Sequence, residues 1–304
     1  MVRKFLRSIL LALAVLAGAF ACQSVRNSGG PDLTEKPAEA IRIATLNVHY
    51  ISARQSEGRW GLSGWEARKD PMDRAVKALD ADLIAFQEME TFRGGDDDSE
   101  NLARSFLLER NPEYRAAAMG YWRTFPSTQP IFYRAERFQM LDQGWFFFSE
   151  APDTIYSRTF DGSYPAFASW ALFRDARTGA AFRLVNLHTD YASGENRRRS
   201  VALVSERIRP WIAAGETVFL AGDLNARLGS NLHRMLEDAG LTFVPVAGAT
   251  YHLDRGLNLF GAIDHIGYSG ATALGVPMVF REKTGPVWAS DHYPVAADFT
   301  LNPG

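Results

Sequence analysis

The sequence predicts a layered α/β fold, and three observations carry that prediction. Short apolar runs recur along the chain, most of them unbroken rather than alternating, as strands covered on both faces require. Between several of them lie apolar residues at three- and four-residue spacing, the signature of amphipathic helices. No internal repeat at a fixed long period is present. The chain has 304 residues, yet layered folds of about 200–250 residues are common as one domain.

Taken in order, the first segment stands apart from the fold. Arg3, Lys4 and Arg7 precede roughly 13 apolar residues, Ile9 to Ala21, ending in small residues as an export signal does. That run is short for a bilayer span. The chain's one cysteine, Cys22, follows Ala19-Phe20-Ala21 directly. Signal cleavage and lipoprotein processing would therefore cut at the same bond, although Ala19 stands where a lipobox usually has leucine. Residues 1–21 are thus expected to be a signal peptide, and Cys22 a lipid acceptor that attaches the protein to a membrane of the cell envelope. Unlipidated protein would be secreted or periplasmic. A single cysteine excludes an internal disulfide. Residues 22–40, with Gly-Gly-Pro and Lys-Pro and little apolar content, are expected as a flexible tether.

The folded domain is expected over 41–304. Strand runs fall at Ile41 to Val48, Asp82 to Gln87, Pro130 to Arg134, Ala166 to Phe173, Phe182 to His188, Thr217 to Ala221, Ala262 to Tyr268 and Val295 to Phe299. Met72, Ala75, Val76 and Leu79 predict a helix with Pro71 near its start. Leu102, Phe106 and Leu107 predict another, and Val201, Val204, Ile208 and Trp211 a third. A short helix over Asn231 to Asp238 stops at Gly240. Asp96-Asp97-Asp98 reads as a solvated turn. Ala151 to Tyr164 reads as a surface loop whose Arg158 and aromatic residues are within reach of a substrate.

Lys and Arg total 33 against 35 Asp and Glu, a net charge of −2, which argues against general affinity for polyanions but leaves room for a local basic groove. The chemistry lies elsewhere. Asn47, Glu88, His188, Asp223 with Asn225, Asp264, and Asp291 with His292 all stand at or beside strand ends. Any one of these is as readily a turn signal. Together they would be a costly decoration for a purely structural domain. Magnesium takes oxygen ligands and needs only one or two carboxylates, and Glu88 is the natural first ligand. Asp223 and Asn225, two apart, point to one side of an extended segment. His188 and His292 are placed to donate to phosphate oxygens, and Asp264 to orient an imidazole.

This ordered set resembles the endonuclease/exonuclease/phosphatase superfamily. The matching segments are Ile43 to Val48, Ile84 to Glu88, Val185 to His188, Gly222 to Ala226, Ile263 to Ile266 and Ser290 to Pro294. The resemblance runs from about Ile41 to Leu301. It implies a four-layer sandwich, two mixed β-sheets face to face with helices outside, and hydrolysis of a phosphoester with Mg²⁺ or Mn²⁺. It further implies that Glu88 binds metal with Asn47 and Asp291 nearby, that Asp223 handles the attacking water, and that Asn225 holds the phosphate or water in line. His188 and His292 would stabilise the pentacovalent phosphate, with Asp264 orienting His292. His49 departs from the pattern where abasic-site endonucleases often carry Asp, which puts a second metal there in doubt. Trp65 and Arg68, Gln129 to Arg134, and Trp145 to Glu150 resemble an exported bacterial branch, Arg68 being either a phosphate contact or an ordinary surface arginine.

The expected activity is an exported phosphoesterase acting as a monomer, with the choice among nucleic acid, lipid headgroup and small phosphomonoester left open. Arg197-Arg198-Arg199 invites a nucleic-acid reading, that of a secreted nuclease, but it opens a helix whose solvated face explains it equally. A catalytically silent envelope-binding module is the alternative of another class. It predicts loss of at least one site residue, and none is lost.

Overall fold

The computed structural model describes residues 2–92, 101–162 and 164–302; the Asp96-Asp97-Asp98 turn lies outside them. In chain order the elements are α1 (Val2–Arg26), β1 (Ile41–Asn47), β2 (Ile51–Ser52), α2 (Leu62–Leu79), β3 (Leu83–Gln87), β4 (Thr91–Phe92), α3 (Leu102–Arg110), β5 (Tyr114–Ala117), β6 (Ile131–Arg134) and β7 (Phe138–Phe147). They continue with β8 (Phe167–Asp175), β9 (Ala181–His188), α4 (Gly194–Ala213), β10 (Thr217–Asp223), α5 (Asn231–Glu237), β11 (Thr242–Phe243), β12 (Asp264–Ser269), β13 (Ala271–Val279) and β14 (Val295–Leu301).

Two mixed sheets result, ordered β13-β14-β1-β3-β6-β5 and β11-β12-β10-β9-β8-β7. The period-two alternation of each strand explains the layering. On β1, Ile41 and Ile43 enter the core between the sheets, packing with Phe173, Phe182, Phe219 and Phe299, whereas Ala44 and Leu46 turn outward onto Trp65, Met72 and Val76 of α2. On β10, Phe219 and Ala221 face the same inter-sheet core, while Val218 and Leu220 meet Val201, Val204 and Ile208 of α4. Helix, sheet, sheet, helix is therefore the order of layers, as the resemblance implies.

Three local features differ from the sequence expectation. Helix α2 begins at Leu62, so Pro71 lies inside it rather than at its start. Buried Trp65 and Arg68 continue the stripe of Met72, Ala75, Val76 and Leu79 backwards, and the charge of Arg68 concealed that continuity. Residues 27–40 hold no helix or strand but are fastened along the domain. Leu33 packs on the α2 side of the core, Thr34 O accepts from Arg42 Nη2 at 2.9 Å, and Lys36 pairs with Asp82 at 3.0 Å. In α1 the stretch Leu6–Arg26 is long and apolar enough to cross a membrane, longer than the Ile9 to Ala21 run alone; a signal sequence passes the same test.

Candidate active site at one rim of the sandwich

Following the inward-facing positions towards one end shows where the apolar core becomes polar. On β1 they run Ile41, Ile43, Thr45, Asn47; on β3 Leu83, Ala85, Gln87; on β9 Phe182, Leu184, Asn186, His188; on β10 Phe219, Ala221, Asp223. Registers align these ends, since Asn47 pairs with Gln87, and Asp223 pairs with both His188 and Asp264. β12 and β14 run antiparallel to their neighbours, so Asp264 and the Asp291-His292 pair before β14 reach the same rim. Below it, Gln87 Nε2 donates to Asn186 Oδ1 at 2.8 Å and Thr45 Oγ1 donates to Gln87 Oε1 at 3.1 Å, a buried polar tie between the sheets. Buried polar groups persist only when paired in this way.

One close approach fixes this geometry. A Cβ on Gly222 would lie 1.9 Å from Leu187 O, so only glycine lets β10 meet β9 directly before Asp223.

Asp223 is the centre of the constellation. Its Oδ2 lies 3.3 Å from Asn47 Nδ2, 3.6 Å from His188 Nε2 and 3.8 Å from His292 Nε2. Its Oδ1 accepts the Asn225 backbone N–H at 2.8 Å. Asn225 itself has φ 47° and donates its amide to Thr189 O at 2.9 Å. His292 Nδ1 meets Asp264 Oδ2 at 2.9 Å. Burial pushes the Asp223 carboxyl up, and the neighbouring Asp264 charge adds to it, against the pull of His292 and His188. For His292 burial opposes the charged ring, but Asp264, Asp223 and Asp291 outweigh it and raise the imidazole to about 10. Asp223 thus holds a proton more readily than an exposed carboxyl, and the His292 ring keeps its charge beside it.

Glu88 sits on the other side of Asn47, whose amide donates to its Oε1 at 3.0 Å. Its φ is 53°, a strained value for a side chain of this size, and His49 beside it has the same φ. Burial raises the Glu88 carboxyl, yet His188, His49, Asn47 and His292 together hold it below its ordinary value. Glu88 and Asp291 act on the same two neighbours, His49 and Arg68, so the two carboxylates flank one place. Carboxylate oxygens are donors Mg²⁺ prefers, and Glu88 and Asp291 fit it, with Asn47 beside them holding Glu88 through Nδ2 while its Oδ1 accepts the His49 backbone N–H at 3.0 Å. A second grouping, Asp223, Asp264 and His292, brings ligand atoms within 4.8 Å of one another. A cation that took His292 Nδ1 there would displace its hydrogen bond to Asp264 Oδ2, whereas Nε2 faces Asp223 Oδ2 at 3.8 Å.

Arg68 is a correction. It is 3% exposed, and its guanidinium donates to the carbonyls of Val48 at 2.5 Å, His49 at 2.9 Å and Tyr50 at 3.2 Å. It shapes the loop after β1 and is closed off from a substrate. Trp65 is core. Of the other participants, Thr250 and Tyr251 gave no sequence signal, whereas Ser290 lies in a segment matched above and Tyr164 in the loop expected near the substrate. Thr250 Oγ1 accepts from the backbone N–H groups of Ile263 and Asp264, and Tyr251 bridges to His292 with rings 5.0 Å apart. Ser290 Oγ donates to Asn47 O at 2.7 Å, tying the Asp291 loop to β1. From the 151–164 loop Tyr164 stands near Glu88, Asp190 and Asp223; burial first, then those charges, raise its hydroxyl.

Such a rim, with acids, amides and two imidazoles converging at one end of a four-layer sandwich, defines a phosphoric ester hydrolase. The chain belongs to the endonuclease/exonuclease/phosphatase family, whose model matches residues 44–292; the family is divalent-metal dependent. Among solved structures it is similar to an endonuclease/exonuclease/phosphatase from Bacteroides vulgatus, with 25% identity, TM-score 0.71 and coverage of 86% of this chain and 99% of that one. It is similar in fold to a Bacteroides thetaiotaomicron mannosyl-6-phosphatase, at 23% identity and TM-score 0.69 over 86% of this chain and 100% of that one. The human Nocturnin catalytic domain with bound sulfate shares the fold at 16% identity and TM-score 0.59, covering 88% and 97%. No curated protein matches the chain.

Proposed function

We propose that this protein is an exported phosphoesterase that hydrolyses a phosphodiester or phosphomonoester by in-line attack of water. The observation that carries the reading is the arrangement around Asp223 Oδ2, on which Asn47 and both His188 and His292 converge from three separate segments. Asp223 accepts the proton of the attacking water, for which its raised affinity suits it. Asn225, held to Asp223 and Thr189, keeps the water or phosphate in line. His292 donates from Nε2 to a phosphoryl oxygen while Asp264 fixes its Nδ1–H, and His188 donates from the opposite strand. Glu88 and Asp291, with Asn47 beside them, would hold Mg²⁺ or Mn²⁺, which would supply Lewis-acid polarisation of the phosphoryl group.

Hydrolysis of bis-p-nitrophenyl phosphate and p-nitrophenyl phosphate by the metal-replete protein tests this. Asp223→Ala is expected to lose about 10²–10⁴ in rate, and EDTA to abolish turnover reversibly. No turnover on a panel extended to DNA, RNA, sphingomyelin-like diesters, inositol phosphates and mannose 6-phosphate would sink the enzyme reading. The basic run does not by itself favour a nuclease, since each of its arginines has a partner on the protein. Arg197 donates to Asp190 O and Tyr191 O, Arg198 to Glu195 and Arg199 to Glu150. We further place the protein in the cell envelope as a monomer attached through a lipid on Cys22, which is exposed. Incorporation of labelled palmitate that disappears in Cys22→Ser is the expected result.

A further inference from the structure

Ser24, Asn27 and Ser28 do not hang free of the domain. Ser24 Oγ accepts the Asn258 backbone N–H at 3.1 Å, and Ser28 Oγ accepts Asn258 Nδ2 at 2.7 Å. Asn27 Nδ2 donates to Asn258 O at 3.0 Å, and Asn27 O accepts from Ala249 N at 2.8 Å. The junction that follows the apolar helix therefore grips residues 249–258, the loop that carries Thr250, Tyr251 and His252 to the catalytic rim. All of these contacts lie beyond Cys22, so they survive cleavage before that residue. At 1.5 Å per residue along a helix, Cys22 lies about 3 Å from the level of Ser24.

On this same loop apolar side chains face solvent. Leu257, beside Asn258, is 40% exposed and Phe260 42%. Phe260 stacks with Tyr251, whose ring lies 5.0 Å from that of His292. Exposed Arg26 and Arg255 flank these apolar residues, the mix of cation and apolar side chain that suits a headgroup boundary. None of the membrane-length window of α1 is buried against the domain, so its removal before Cys22 takes nothing from the docked junction.

We propose that residues 24–29 dock the catalytic rim against the membrane that holds the N-terminus, with Leu257 and Phe260 seated in the bilayer interface. The cleft then opens towards the lipid surface, and the opposite end of the sandwich, where the β8–β9 turn lies, points away from it. β9 alone separates the two ends by about 25 Å. This inference rests on the anchoring proposed above.

Processed protein that begins at Cys22, purified from cell membranes and carrying p-benzoylphenylalanine in place of Leu257, or of Thr178 in the β8–β9 turn, is reconstituted in vesicles of phosphatidylethanolamine and phosphatidylglycerol and irradiated. A lipid adduct at position 257 and none at 178 is expected. Adding Asn258→Ala, which removes the side-chain bond to Ser28, is expected to lower the adduct at 257. Unchanged turnover of a soluble diester shows that the labelled proteins are folded. Protein that sediments with the vesicles but forms no adduct at 257, or equal adducts at both positions, overturns the docking while leaving the anchor intact. Protein that stays in the supernatant overturns both.

Discussion

Asp264→Asn separates two accounts of the rim. With the carboxylate replaced by an amide, His292 keeps a neighbour at the same place but loses the charge and the charge-assisted hydrogen bond at 2.9 Å. Hydrogen bonds to charged groups contribute about 1.5–3 kcal/mol. Asp264 and His292 are both buried, so solvent screening removes little of it. At 1.36 kcal/mol per factor of ten, kcat on bis-p-nitrophenyl phosphate should fall by about 10- to 150-fold. The loss belongs in kcat, because His292 donates most strongly to charge that develops in the transition state. Mg²⁺ affinity measured by calorimetry should stay unchanged, since Glu88, Asp291 and Asn47 are untouched. The His292 imidazole, followed by NMR titration, should drop from its raised value. If Asp264→Asn instead abolished Mg²⁺ binding, Asp223, Asp264 and His292 would be the metal site, and the orienting role assigned to Asp264 would be wrong. Unaltered kcat would refute it as well.

Gly222→Ala should lower stability by about 3 kcal/mol or more, because overpacking cannot relax against a backbone oxygen; a melting temperature equal to the parent's would show that β9 and β10 have room the registers deny. Arg68→Met is expected to lower kcat with KM little changed, because the carbonyls of Val48, His49 and Tyr50 lose their common donor and Glu88 its support. A rise in KM alone would return Arg68 to the role of substrate contact. Stability should depend on pH through His233, which burial first and the neighbouring His265 second lower to about 3. The unfolded chain binds its proton near pH 6.5 and the fold does not. The His233 contribution is therefore full above that value and is lost as pH falls towards 3, by at most about 1.36 kcal/mol per unit, and His252, lowered to about 3 by burial first, adds in the same direction. Urea midpoints from pH 7 to 4 check this, and His233→Gln should flatten the slope.

Every strand foreseen from unbroken apolar runs is an interior strand: β14, β1, β3 and β6 in one sheet, β12, β10, β9 and β8 in the other. Of the six that went unseen, β13, β5, β11 and β7 are the edges of the two large sheets, and β2 and β4 are two-residue strands that pair only with each other. That division has a physical cause. An interior strand of a sandwich with helices outside is covered on both faces and reads as continuous apolar sequence. An edge strand is covered unevenly and carries breakers against further pairing. β7 holds Asp142, Gln143 and Gly144 and slips register at Met140/Asp142; β13 holds Gly275 and Pro277 and slips between Leu274 and Met278.

The same distinction explains which parts of the rim were legible. Asn47, His188, Asp223 and Asp264 occupy inward positions of interior strands, in line at two-residue spacing with buried apolar ones such as Ile43, Leu184, Ala221 and Ile266, so the strand period itself aims them at one place. Residues that act through the backbone leave no such mark. Thr250 matters because its hydroxyl accepts two N–H groups, Ser290 because it reaches Asn47 O, and Arg68 because four carbonyls, Ala289 O among them, converge on it. Each depends on where distant loops come to rest, which the local pattern does not encode. Arg68 misled for a further reason: an arginine among apolar helix positions suggests an exposed cation reaching for phosphate, whereas here its charge is buried to hold a strained turn. The positive φ at His49, Glu88 and Asn225 makes that need concrete. A rim that holds three side chains in a costly backbone region must be braced from behind, and Arg68, Ser290 and Thr250 are the braces.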